Sequence, residues 1–361
     1  MPPGPPSFDL AGRSVLVTGG TGSFGQTFVR HVLATSAPRR LIVFSRDEMK
    51  QADMAEVLSP AEHRCLRYFI GDVRDRERLE MAMRGVDVVV HAAALKHVTT
   101  GEYNPFECIR TNVWGAENVV RAAIGAGVER VIALSTDKAA APVNLYGASK
   151  LASDKIFIAS NNLAGGDGPR FSVVRYGNVV GSRGSVVPLF ERLISQGADA
   201  LPITHPDMTR FWITLDHGVR FVLSSLAGMR GGEIFVPKIP SMRITDLARA
   251  LAPGLPQRIV GIRPGEKLHE TMITEDDART TVELDDRYVI EPAFATWEEE
   301  LAPRGRPVPE GFRYTSDGND RWLSDDQLRE LCERAPVDRL GHTRRVGDPV
   351  PAGAPAGVPA A

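Results

Sequence analysis

Tyr146 and Lys150 stand four positions apart in the segment NLYGASK. On a helix this spacing puts a phenol and an ammonium on one face. A nearby cation favours phenolate, so the pair suits a base that takes a proton from an alcohol. Ten positions before Tyr146, the run RVIALST ends at Thr136, a hydroxyl partner for the phenol, and Asp137 and Lys138 follow at once. A carboxyl and an amine there form a second acid–base pair, which alcohol oxidation alone does not need. The bland alternative is a capping turn with a solvent-exposed charge pair. The place of these residues at the carboxyl end of a central strand favours a catalytic reading.

A phosphate-binding turn precedes this set. The segment TGGTGSFG (18–25) follows the first apolar run and opens the first helix pattern. It spaces Gly19, Gly22 and Gly25 three apart, with Thr21, Ser23 and Phe24 between them. Glycines let the turn tighten and the backbone approach a pyrophosphate, and the helix N-terminus offers free N–H groups. Between strand and helix, near the start of the chain, the pattern reads as a dinucleotide site. The second strand ends FSRDEMK, placing Ser45 and Arg46 first and Lys50 behind them. A guanidinium and a hydroxyl suit a 2′-phosphate, so NADP is expected, although Asp47 keeps NAD open. Asp72 and Val73 are placed to flank the adenine. Ala92, Ala93, Ala94 and Lys96 are placed along the cofactor and its substrate side, and Lys150 can also hold the nicotinamide ribose.

These residues require a scaffold of alternating elements. Strand-like runs lie at 14–19, 41–45, 67–72, 86–94, 130–136 and 171–179, separated by helix-like stretches. That order predicts an α/β fold, a doubly wound parallel Rossmann sheet with right-handed crossovers. Residues 9–180 are expected to form the NADP-binding domain, to which some later segments return. Residues 181–333 are expected to form mainly a smaller substrate-binding lobe over the carboxyl ends of the strands. The Pro-, Gly- and Ala-rich ends, 1–8 and 334–361, read as disordered tails.

Composition removes several classes. The 361 residues carry 43 Lys+Arg against 45 Asp+Glu, so no basic surplus marks a nucleic-acid binder. No run of about 18 apolar residues suggests a membrane span, and Met1 to Leu10 lacks the features of a secretory signal. Cys65, Cys108 and Cys332 are scattered and odd in number, which fits reduced thiols in the cytoplasm, and the histidines show no metal-ligand spacing.

The glycine turn, Thr136, Tyr146 and Lys150 together resemble the extended short-chain dehydrogenase/reductase superfamily. SRDEMKQ, AAALKHV, STDKA, NLYGASK, RYGNVVGSRGSVVPLF, MTRFW, RPGEKLHE and NDRWLS carry a closer resemblance, to the inverting UDP-N-acetylglucosamine 4,6-dehydratases, over about Asp9 to Leu328. Related capsule-sugar epimerases share much of the STDKA-to-NLYGASK block. The resemblance implies that Tyr146 is the C4 base, Lys138 the C5 base, and Asp137 the acid for the departing C6 hydroxyl. Hydride would pass from C4 to NADP and back to C6, giving a 4-keto-6-deoxy sugar inverted at C5. It also implies Lys96, Asn178, Arg183, Arg210, Arg263 and Glu266 as substrate residues and a homo-oligomer, a dimer or a hexamer. His97 and Trp212 are placed either to touch the sugar or to pack, and Asn319 to Leu323 to anchor the C-terminal segment. A UDP-sugar 4-epimerase, using Tyr146 without elimination, and a non-catalytic NADP-binding sensor or scaffold remain the alternatives.

Overall fold

The apolar runs of the first half become six parallel strands. They are β1 (Ser14–Thr18), β2 (Arg40–Ser45), β3 (Leu66–Ile70), β4 (Val88–His91), β5 (Arg130–Thr136) and β6 (Arg170–Tyr176). The computed structural model describes residues 8–182, 184–294 and 304–334. The sequence expectations for both terminal tails, apart from Phe8 and the last helical residue Arg334, lie outside them, as does Arg183. The intervening helices are α1 (Ser23–Thr35), α2 (Glu48–Val57), α3 (Arg76–Ala82), α4 (Val98–Tyr103), α5 (Pro105–Ile109), α6 (Gly115–Ala126) and α7 (Leu145–Ala164). Helices cover both faces of the sheet, and β1 and β4 are buried at every residue, which is why SVLVT and VVVH do not alternate with polar residues.

The sheet order runs β3-β2-β1-β4-β5-β6 and then continues with Ile234–Pro237, parallel to β6. Arg287–Ile290, Thr281–Glu283 and Arg306–Pro307 close the edge antiparallel, giving ten strands. The chain is thus a doubly wound α/β protein. The order reverses between β1 and β4, and ligands of such sheets bind in the crevice outside the carboxyl ends there.

The second half divides between two cores. Its returning strands place Phe235, Val236 and Val289 in the large sheet core. A second core gathers Val187, Phe190, Leu201, Trp212, Met242 and Leu247, and the final helix Asp325–Arg334 plugs Leu328 and Cys332 into it. The NDRWLS segment ties this helix down. Asn319 Nδ2 donates to the Ile239 carbonyl at 2.9 Å, and the backbones of Arg321 and Leu323 bond Ser241.

Candidate active site

The glycine turn is shaped by close approaches. Gly19 has a φ of +65°, and a Cβ there would lie 2.9 Å from the Ala93 backbone. A Cβ on Gly25 would lie 2.5 Å from the Gly20 backbone, so α1 packs against the turn only because residue 25 is glycine. Gly22 is the N-cap of α1 and supplies no side-chain cap, and the first turn holds no acid. The first N–H groups are left for an anion. Thr21 is buried beside them.

At the end of β2, Ser45 is buried and accepts from Gln51 Nε2 at 3.0 Å. Asp47 caps α2 through the Lys50 N–H and pairs with Lys50 Nζ at 2.9 Å. Asp47 and Lys50 are therefore mutually engaged, and the half-exposed Arg46 reaches Asp72 at 3.6 Å. Val73 is buried, and its carbonyl accepts from Asn118 at 3.0 Å. Beyond β4, the N–H groups of Ala92 and Ala93 both donate to the Thr18 hydroxyl. Leu95 is clamped on both sides by the Asn112 amide, at 2.8 and 2.9 Å, whereas Ala94 and Lys96 face solvent. Asn112 sits in a π-helical turn, Arg110–Trp114, and also donates to Ser149 of α7 at 2.9 Å. One amide thus joins the cofactor-side loop to the helix bearing Tyr146 and Lys150.

Thr136 ends β5 and caps the short 3₁₀ turn Asp137–Ala139 by accepting from the Lys138 N–H. Capping falls to Thr136, so the Asp137 and Lys138 side chains are left to each other, 3.0 Å apart. They are no solvent-exposed pair, because Asp137 has 0% exposure. Thr136 Oγ1 donates to Asp137 Oδ1 at 2.9 Å and lies near the Tyr146 phenol, whose pKa it helps to lower. Helix α7 approaches this turn so closely that a Cβ on Gly147 would lie 2.2 Å from the Lys138 carbonyl.

Glu270, from the RPGEKLHE segment, completes the group. Its buried carboxylate lies 3.0 Å from Lys138 Nζ and 3.6 Å from Arg210 Nε. Burial raises the Asp137 carboxyl, and Lys138 does not overcome it. Burial acts against the Lys138 ammonium, but Asp137 and Glu270 outweigh it and hold Lys138 above the ordinary lysine value. Burial would likewise raise Glu270, yet Lys138 and Arg210 hold it below the usual carboxylate range. Burial pushes the Tyr146 phenol up to about 12, and the first cation opposing this is Lys138. The sequence assigned that task to Lys150. In the fold Lys150 is buried and its own ammonium is depressed by desolvation, which Asp154 only partly offsets.

The substrate candidates separate. Asn178 lies in a two-residue strand beside Trp212, and its buried Oδ1 has no partner. Arg263 is exposed and pairs with Glu266 at 2.7 Å, while Glu266 Oε2 is buried without a partner. Arg210 is 7% exposed and its Nη atoms donate to the carbonyls of Thr209, Lys267 and Leu268, so it is a strut under the 267–270 segment. Trp212 packs in the second core, and His97 caps the start of α4. Among the described residues no cluster of three or more His, Cys, Asp or Glu is placed to hold a metal.

The sequence profile of a family described as polysaccharide biosynthesis protein matches residues 15–292. The chain belongs to this family. A Campylobacter jejuni protein named UDP-N-acetylglucosamine 4,6-dehydratase (inverting) is 56% identical over 327 residues. The match covers 89% of this chain and 97% of the relative. A Rickettsia canadensis protein named UDP-glucose 4-epimerase is 44% identical, with 77% and 82% covered. In structure, Pen from Bacillus thuringiensis matches with a TM-score of 0.81 at 34% identity, over 89% of this chain and 97% of that one. A Streptomyces venezuelae dTDP-glucose 4,6-dehydratase double mutant, solved with NAD bound, matches with a TM-score of 0.63 at 29% identity, over 70% and 86%.

Sequence reasoning passed over Glu270, Asn112 and Gly147 as site residues. Glu270 lay within the quoted RPGEKLHE run, where a carboxylate next to a histidine gives no sign of burial. Asn112 preceded a helix pattern and read as an ordinary polar position. Gly147 lay inside the Tyr-x-x-x-Lys block, where a glycine in a helix is itself a signal of close packing.

Proposed function

We propose that this chain is a nucleotide-sugar 4,6-dehydratase acting on UDP-N-acetylglucosamine with inversion at C5. The observation that carries the reading is the Asp137–Lys138–Glu270 group beside Tyr146, two buried carboxyls bridged by a partly exposed amine. An enzyme that only oxidises and reduces C4 needs one base for the alcohol. Elimination across C5 and C6 also needs a base for carbon and an acid for the departing hydroxyl. The name of the Campylobacter relative supports the same substrate and stereochemistry.

The residues present fit a nicotinamide dinucleotide, because the crowded Gly19 and Gly25 and the uncapped start of α1 form a cradle that any Cβ would fill. The turn and α1 would hold the pyrophosphate, Asp72 and Val73 the adenine, and Lys150 the nicotinamide ribose. We assign NADP because Asp47 is spent on α2 and Lys50, leaving Arg46 and Ser45 at the ribose position. When bound, the nicotinamide supplies reversible hydride storage and a positive charge near the phenol. Tyr146, beside Thr136, takes the C4 hydroxyl proton. Lys138 removes the C5 hydrogen that the C4 ketone has acidified, and Asp137, whose carboxyl burial raises above its ordinary value, protonates the C6 hydroxyl. Asn178, Lys96, Arg263 and Glu266 are assigned to the substrate side, where the unpartnered Asn178 Oδ1 can accept from a sugar donor.

A 4-epimerase is the second reading, favoured by the Rickettsia relative's name. It leaves the Asp137–Lys138–Glu270 group without a task. The free cysteines favour a reducing, cytoplasmic setting, and exposed Tyr103, Phe106 and Trp114 favour a homo-oligomer. Among the described residues no helix is long and apolar enough to cross a membrane.

The test is proton NMR of the protein with UDP-N-acetylglucosamine in deuterated water. A new 6-methyl signal, deuterium at C5 and inverted C5 geometry support the reading. A 4-epimer that keeps its 6-hydroxyl refutes it in favour of the epimerase.

A further inference from the structure

Resting on the dehydratase reading, we propose that Glu270 stores the proton that Lys138 must lose before it can act as a base, and returns it to Asp137 after elimination. Lys138 Nζ lies 3.0 Å from Asp137 Oδ1 and 3.0 Å from Glu270 Oε1, so the nitrogen bridges two carboxyls. An ammonium so placed cannot take a proton from carbon. Asp137 cannot relieve it, since a residue that protonates the leaving hydroxyl must begin as the neutral acid. Glu270 is the remaining carboxylate within reach, and its second oxygen is buried without a partner. Its position is rigid: the Glu270 N–H donates to Ser316 Oγ, and its carbonyl accepts from the Ser316 N–H.

The proton balance closes. The resting group is Asp137 as acid, Lys138 as ammonium and Glu270 as carboxylate. One Lys138 N–H bond breaks as a Glu270 O–H bond forms, leaving a neutral amine. That amine forms an N–H bond with the C5 proton. The C5–H electron pair becomes the C5–C6 double bond, and the C6–O bond breaks with the Asp137 proton, releasing water. Asp137 is then a carboxylate, Lys138 an ammonium and Glu270 an acid. Lys138 passes a proton to Asp137 and receives one from Glu270, which restores the start. The proton that Tyr146 took from the C4 hydroxyl balances the one C5 regains when hydride returns to C6. Glu270 acts through Lys138 and never meets the substrate, so it is a positioning residue. The charged groups facing it are Lys138 and Asp137 from the turn, Arg210 from the strand Thr209–Ile213, and Lys267 from its own segment.

The experiment compares wild type, Glu270→Gln and Glu270→Asp with UDP-N-acetylglucosamine, following reduced-nicotinamide absorbance and 6-deoxy product across pH. Glu270→Gln is expected to slow product formation about 100-fold or more. It should accumulate reduced nicotinamide, because C4 oxidation does not need the relay. Its residual dehydration should climb about tenfold per pH unit, since Lys138 must then lose its proton to solvent, while the wild type stays flatter. Glu270→Asp should recover part of the rate and flatten the profile. If Glu270→Gln fails to fold, Glu270→Asp decides: a slower dehydration step with a steeper pH profile supports the relay, and a wild-type profile overturns it. Glu270→Gln within about threefold of wild type with the same profile, or equal loss of C4 oxidation and dehydration, also overturns it. If the wild type itself yields no 6-deoxy product, the dehydratase reading falls, and this inference with it.

Discussion

His91 ends β4, directly before the loop that runs along the cofactor side, and acidification should act on the fold through it. The Thr18 hydroxyl accepts from the N–H groups of Ala92 and Ala93, at 3.1 and 3.2 Å, which occupies both of its lone pairs. Its own hydrogen must then point to His91 Nδ1, 2.8 Å away. The ring is therefore neutral, with its hydrogen on Nε2, and it packs against Phe157 with ring centres 5.4 Å apart. A proton on Nδ1 would have no acceptor. Burial, with a smaller push from Lys150, lowers His91 from 6.5 to about 3. For a base depressed in the folded state, the unfolded chain binds the extra proton between these values, so stability is complete above pH 6.5 and falls as pH drops. The loss from this one group is about 2 kcal/mol at pH 5 and approaches about 5 kcal/mol near pH 3, at about 1.4 kcal/mol per unit. That is a large share of a typical stability of about 5–15 kcal/mol. Carboxylates contribute their own pH dependence, so the comparison is with His91→Asn, whose amide oxygen can accept from Thr18 without titrating. Urea denaturation at pH 7.5 and pH 5 should show the wild type losing about 2 kcal/mol more than the variant. Equal losses, or a His91 that titrates by NMR near 6.5, would refute both the tautomer and its burial.

Tyr146→Phe should abolish conversion while leaving fold and cofactor binding near wild type, because only the hydroxyl near Thr136 is lost; normal turnover would exclude Tyr146 as the C4 base. Gly147→Ala forces a methyl against the Lys138 carbonyl, so thermal denaturation should show about 1–3 kcal/mol of destabilisation, with dehydration falling further than C4 oxidation. Arg46→Ala should weaken NADP by at least about tenfold, measured by calorimetric titration, and weaken NAD much less, since NAD has no 2′-phosphate for the guanidinium to bind. Equal weakening of both cofactors would return the choice to NAD.

Short-range physics made much of the molecule legible from its residues. Strand-length apolar runs buried on both faces, alternating with helix patterns, specify a doubly wound sheet wherever they occur. The Tyr146–Lys150 spacing sets one helical face, and Gly22 and Gly25 answer to backbone crowding within a single turn. These are constraints between near neighbours in sequence. The remainder depended on contacts between distant segments. Glu270 reaches Lys138 because the chain returns from the second lobe, where Lys267 also bonds the Ala140 carbonyl. Nothing in its local pattern marks it as buried. Arg210, a substrate candidate by residue type, is likewise placed by distant contacts, its Nη atoms donating to the Lys267 and Leu268 carbonyls. Charge state followed the same division. Residue types named the acid–base groups, but desolvation and the partners facing them decided the direction in which each is shifted, Asp137 and Lys138 upward and Glu270 downward, because the cost of a buried charge is set by everything packed around it.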